Sequence, residues 1–370
     1  MKSSILFTPG PLNTSSTVKE AMLNDIGSRT KTLVELTKSI RENLEDIAQC
    51  GSSFSSILLQ GSGTFAVEAM ISSLIPSNAH VLIISNGVYG ERMLQICDIY
   101  GISNTVLRQN ELMSMDLNEV ETELRQASNP FTHILAVQFE TGIGILNDID
   151  ELTALASKYH CAVLVDAMSA FGAIPLNYNE PSLCAVAASS NKCLHGVPGI
   201  GFVVARKETL CSQKARSLSL DLYAQWKNFE SNGEWRFTPP THVLSAFHQA
   251  LFEFQQMGGV DARFKKYACL NSQLIAGLAP LGICPVVSSE EYRAPMITTF
   301  FLGDKIQCAF KEMYELLLAQ QLVLYPSASV SNENRQAKFR IGCMGEIDAN
   351  DINNLIQAIK NISENNHEKI

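Results

Sequence analysis

Apolar runs of four to six residues without polar alternation recur through the first two-thirds of this chain, separated by stretches of helical pattern. A strand with no polar side must be covered on both faces, and in a single chain helices do the covering. The runs are Ser56–Gln60, His80–Ile84, His133–Val137, Val163–Val165, a short one at Ala185–Ala188, and Gly201–Ala205. Helical patterns fall at Thr64–Leu74, Tyr89–Tyr100 and Ile149–His160. This alternation predicts an α/β fold around a doubly wound, mostly parallel sheet. Leu244–Gln256 reads as a helix that stops at Met257-Gly258-Gly259, a C-cap signal. We place a domain boundary there. The expected large domain is 13–257, and 258–370 with the segment 1–12 forms a smaller α+β domain. That smaller domain should hold a strand at Met296–Phe301, a helix at Ile306–Gln320 and a last helix from Ala349, with a frayed tail after Ile362.

The chain's 370 residues suffice for roughly two domains. The apolar share of 46% against 18% charged fits a globular enzyme with a large core. The net charge of −9 and the lack of a basic run argue against nucleic acid. An anionic substrate must then be held by local basic groups. No apolar run approaches the ~20 residues of a membrane span, and the N-terminus does not read as a signal peptide. None of the ten cysteines forms a CxxC pair, and most sit in apolar stretches, as expected in a reducing, cytoplasmic compartment. Cys193 is expected to pack, not to react. The seven histidines lack ligand spacing, so no metal site is expected.

Two residues carry most of the chemistry. Asp166 ends the run Ala162–Val165, and 26 residues later Lys192 sits between a small-residue strand and a Gly/Pro turn. A pyridoxal phosphate (PLP) enzyme needs this pair: a lysine for the Schiff base and a carboxylate that keeps the pyridine nitrogen protonated. Gln60-Gly-Ser-Gly-Thr64 passes from strand to helix, and Ser62, Gly63 and Thr64 there could hold a phosphate. Alone, such a turn is more often a simple cap. Tyr89 follows the next strand and could lie on the pyridine ring. Thr141 follows Glu140 at the same sheet rim. The stiff loop Trp235–His242 could bring Thr241 within reach of a second phosphate site, across a dimer interface. Arg340, in a strand entering a Gly turn, suits a carboxylate or phosphonate.

Together these strings resemble the fold-type I PLP enzymes of the class-V aminotransferase family, the group that includes alanine–glyoxylate transaminase. The likeness runs through Leu6–Leu12, Leu59–Ala69, Val165–Ser169, Asn191–Gly199, Ser217–Leu222 and Trp235–His242. It is closest to the 2-aminoethylphosphonate–pyruvate transaminases. The resemblance implies a homodimer with PLP on Lys192, Asp166 at its nitrogen, and Tyr89 on its ring. Ser62, Gly63 and Thr64 hold its phosphate, with Thr241 reaching it from the neighbouring subunit. Thr141 and Ser189 join the cofactor set, and Arg340 and Asn13 hold an aminophosphonate substrate.

Three segments depart from the transaminase pattern: Glu140-Thr-Gly-Ile-Gly144, Tyr325-Pro-Ser-Ala328 and Asp25–Thr30. All lie where substrate should be handled. Changed substrate motifs beside kept cofactor motifs lead us to expect an ammonia-lyase, converting 1-hydroxy-2-aminoethylphosphonate to phosphonoacetaldehyde and ammonia. Arg29 is a candidate helper in that reading, against the ordinary role of a solvated surface arginine. The alternative is transamination of 2-aminoethylphosphonate with pyruvate.

Overall fold

The computed structural model describes residues 4–210, 215–327 and 337–367. A seven-stranded sheet joins β1 (Phe54–Gln60), β2 (His80–Ser85), β3 (Ser103–Arg108), β4 (His133–Val137), β5 (Ala162–Asp166), β6 (Leu183–Ser189) and β7 (Ile200–Arg206). The spatial order is β1-β7-β6-β5-β4-β2-β3. Neighbours are parallel except around β7, which runs antiparallel to β1 and β6. The fold is therefore the expected α/β class with a mostly parallel sheet. All seven residues of β6 are buried, as a strand covered on both faces requires.

Helices α1 (Lys31–Ala48), α2 (Gly63–Leu74), α3 (Val88–Ile99), α4 (Leu117–Gln126) and α5 (Ile149–Lys158) accompany the strands. Next come α6 (Leu222–Asn232), α7 (Thr241–Gln256) and α8 (Gly259–Leu278). Helix α7 ends at Gln256, as the Met257-Gly258-Gly259 signal predicts. Gly258 takes a left-handed conformation and α8 starts at once, so the two glycines form a corner between two helices. Strand β3 escaped the sequence reading because it is a polar, half-buried edge strand without an apolar run.

A second apolar core gathers Phe7 with residues from Leu270 onward. Its sheet has β10 (Lys338–Gly342) between β8 (Ile297–Phe301) and β9 (Tyr325–Pro326), with α9 (Phe310–Ala319) and α10 (Ala349–His367) alongside. Helix α9 starts four residues later than expected. Where a frayed tail was expected after Ile362, α10 continues to His367; residues 368–370 lie outside the described residues. Ile5 and Leu6 pair in parallel with Leu322 and Val323, so the N-terminal segment is strapped to this part of the chain. Among the described residues no helix is long and apolar enough to cross a membrane.

Candidate active site

Parallel strands bring their carboxyl ends to one sheet edge, where open α/β sheets bind ligands. Asp166 is the last residue of β5, Ser189 the last of β6, and Lys192 lies in the turn after β6. The Gly61–Gly63 turn leaves β1 at the same edge. These positions line one cavity of about 490 Å³, together with Thr64, Tyr89 and Arg92.

One wall is the start of α2. Ser62 is the N-cap residue, in extended backbone, and its hydroxyl makes no capping bond. The amides of Gly63 and Thr64 open the helix, where N–H groups have no partner within the helix and carry positive dipole character. A Cβ at Gly63 would come within 2.2 Å of the Met168 sulfur, so that flexible side chain would have to shift to admit one. Arg92 donates from Nη1 to the Thr64 hydroxyl at 3.3 Å, and its guanidinium carbon lies 4.8 Å from the centre of the Tyr89 ring. Sequence reading missed Arg92. The signal was present, because Tyr89 and Arg92 are three residues apart on α3 and so share a face.

The floor is electrostatic. The Asp166 carboxylate is buried and accepts the Met168 amide at 2.9 Å. Burial raises its pKa to about 6, against the pull of that hydrogen bond and of Arg92 and Lys192. The Lys192 chain is only partly covered, but its amine end is enclosed, and burial lowers its pKa to about 8. The Arg340 and Arg92 charges push the same way, while Asp166 opposes them. The amine donates to the Pro9 carbonyl at 2.5 Å. Ser189 Oγ is buried and has no hydrogen-bond partner among the described residues.

These features fit PLP. A buried carboxylate facing a cavity suits a protonated ring nitrogen, and the unpartnered Ser189 hydroxyl wants a polar group. The free helix amides beside an arginine suit a phosphate.

Arg340 is buried on β10, with Nε donating to the Pro326 carbonyl at 2.9 Å and Nη1 to the Thr141 carbonyl at 3.2 Å. Burial lowers its pKa, while Tyr89, Glu140 and Tyr325 oppose the shift. Thr141 is thus tied to Arg340 through its main chain. Glu140 accepts the amides of Tyr89 at 3.0 Å and Gly142 at 3.2 Å, and burial raises its pKa to about 7.

Asn13 is not among the cavity-lining residues. Its Oδ1 accepts the Leu6 amide at 2.6 Å and its Nδ2 donates to the Ser4 carbonyl at 2.9 Å, so both ends of the amide close the N-terminal strap. Thr241 is the first residue of α7, not part of a loop, and does not line its own chain's cavity. Arg29 is exposed. Cys193 is buried against the Ser169 carbonyl and the Met344 sulfur.

The family model for class-V aminotransferases matches residues 13–323. A 2-aminoethylphosphonate–pyruvate transaminase of Vibrio vulnificus is 43% identical over 364 residues, covering 96% of each chain. The structure of alanine–glyoxylate aminotransferase from a Nostoc species superposes with a TM-score of 0.89 at 22% identity, covering 98% of this chain and 96% of that one. PLP-bound phosphoserine aminotransferase from Trichomonas vaginalis gives a TM-score of 0.77 at 18% identity, covering 96% of this chain and 99% of that one.

Proposed function

Since this chain belongs to the class-V aminotransferase family, whose cofactor is PLP, we propose that it transfers the amino group of 2-aminoethylphosphonate to pyruvate, giving phosphonoacetaldehyde and alanine. The observation that carries this reading is 43% identity to such a transaminase along 96% of both chains.

The expected ammonia-lyase is overturned by the same likeness, because the curated relatives are transaminases. The geometry explains why the three departures misled. Ile143 is buried in an apolar cluster with Ile145, Val286 and Val287, and Gly142 is tied to Glu140 and to the Ser327 hydroxyl. Asp25 pairs with His242 and Thr30 caps α1. These residues pack and cap, so changes among them need not change the reaction. Ala328 lies outside the described residues.

Bound PLP supplies the carbonyl that takes up the substrate amine and the ring that accepts electrons. Lys192 would hold the cofactor, and its amine would move the proton at the substrate carbon bearing nitrogen. Its amine, lowered to about 8, is partly neutral near pH 7 and can accept that proton. The Asp166 carboxylate would keep the ring nitrogen protonated, Ser189 would offer the cofactor a polar contact, and Thr141 would bond its phenolic oxygen or the substrate. Ser62, Gly63 and Thr64 bind the phosphate. Tyr89 stacks on the ring, and Arg340 holds the anionic end of the substrate.

The active unit in this reading is a homodimer. Phe65, beside the phosphate cradle, and Phe237, leading into Thr241, are 49% and 50% exposed. Their exposure supports a second copy that covers them and brings Thr241 to the neighbour's phosphate. The compartment is the cytoplasm.

The test is an assay with 2-aminoethylphosphonate and pyruvate. Alanine and aldehyde should form in equal amounts, and Lys192→Ala should abolish both. Sustained release of ammonia and aldehyde without any keto acid would refute the transaminase.

A further inference from the structure

We propose that Arg92 is a further cofactor-binding residue, whose guanidinium binds the cofactor phosphate and sets the enzyme's preference for a phosphorylated cofactor. The inference rests on PLP occupying the cavity described above.

Four observations converge on it. Arg92 lines the same cavity as Lys192 and Asp166. Its Nη1 donates to the hydroxyl of Thr64, at the helix start where the phosphate amides lie. It makes no ion pair with a carboxylate among the described residues, unlike Arg41, Arg108 and Arg293. Its positive field reaches both Asp166 and Lys192, favouring the charged form of one and the neutral form of the other.

A guanidinium has five N–H donors. The Thr64 bond uses one of them, and the stack on Tyr89 satisfies a face, not a donor. The other donors belong to a side chain that lines the same cavity as Gly63 and Thr64. A tetrahedral dianion there would receive charge-assisted bonds from Arg92 on one side and main-chain bonds from α2 on the other. Helix amides alone supply only partial charge. The arginine supplies a full one. By stacking on Tyr89 it also fixes the ring that is to cover the cofactor, so phosphate and ring are registered by one side chain.

The test compares two ligands on the apoprotein: PLP, and pyridoxal, which lacks the phosphate. Dissociation constants are measured by titration for wild type, Arg92→Met and Arg92→Lys. Methionine keeps most of the apolar stem and removes the charge. We expect Arg92→Met to weaken PLP by about 10- to 100-fold, as loss of a charged hydrogen-bond donor does. Pyridoxal should change by less than about twofold, and Arg92→Lys should recover part of the loss, since lysine keeps the charge without the fork.

Equal weakening of both ligands would assign Arg92 to holding Tyr89 and overturn the proposal. Unchanged PLP binding would overturn it as well. Should Arg92→Met fail to fold, Arg92→Lys still decides, since it must weaken PLP but not pyridoxal, and competition by inorganic phosphate on the wild type tests the cradle itself. Phosphate must compete with PLP far better than with pyridoxal. Wild-type apoprotein that binds PLP no more tightly than pyridoxal would refute the phosphate cradle itself, a result distinct from the failure of Arg92 alone.

Discussion

The Lys192 amine donates a hydrogen bond to the main-chain carbonyl of Pro9, 183 residues away in sequence. The N-terminal strap therefore passes directly over the lysine. Gly10 takes a left-handed φ of +125°, and a Cβ there would lie 2.6 Å from the lysine nitrogen.

Gly10→Ala must then push the lysine or the strap aside. Misplacing a reacting group by about 1 Å can cost roughly 100-fold in rate. We expect kcat to fall by at least about tenfold and cofactor uptake to slow, with far-UV circular dichroism unchanged. Wild-type rates of PLP uptake in this variant would show that the strap does not confine the lysine.

Asp166→Asn should separate stability from activity. The amide cannot hold the charge of the ring nitrogen, and losing one charged hydrogen bond should cut kcat by about 10- to 100-fold. The carboxylate's pKa rises from 3.8 unfolded to about 6 folded, chiefly through burial. The folded protein therefore binds that proton more tightly, and stability falls as pH rises across this window. Above it the ionised carboxylate is a burden that asparagine removes. Denaturant unfolding of the apoproteins near neutral pH should show the variant at least as stable as wild type.

Lys192 titrates with the opposite consequence. Its folded pKa of about 8, set chiefly by burial, lies below the ordinary 10.5. Between these values the unfolded chain carries a proton that the folded apoprotein lacks, so this group's contribution to stability grows as pH rises. Lys192→Met abolishes the titration. The stability advantage of the methionine variant should be greatest below about pH 8 and shrink above it. An advantage that does not vary with pH would contradict this assignment.

Asn147 tests the scaffold behind Tyr89. Its side chain exchanges hydrogen bonds of 2.8 and 3.1 Å with Asn86, donates to the Val137 carbonyl at 2.8 Å, and accepts the Met115 amide at 2.9 Å. All of this is buried. Asn147→Ala leaves several polar groups without partners, and each costs about 1–3 kcal/mol. Chemical unfolding should register a loss of at least about 2 kcal/mol.

Much of the site was legible in advance because its parts are local. Gly61-Ser62-Gly63 before a helical pattern, Asp166 after an apolar run, and Lys192 before a Gly/Pro turn each depend on a few neighbours in sequence. The bonds of the Asn13 amide to Leu6 and Ser4 were not legible, because they form only when the N-terminal strap folds back on itself. The Gly142–Ile143 departure misled because a changed letter does not say whether its side chain faces a substrate or a core. Arg92 was passed over because an arginine on a helix is ordinarily solvated.

The chain's own letters determined the alternation of strands and helices and the order of the motifs along the sheet edge, since backbone propensity and apolar patterning act over a few residues. Only the folded molecule decided that Pro9 meets Lys192, that Arg92 reaches Thr64, and that Arg340 is anchored by Thr141 and Pro326. Such contacts join residues tens to hundreds of positions apart. They form only when whole helices and sheets pack, so no local stretch of sequence encodes them.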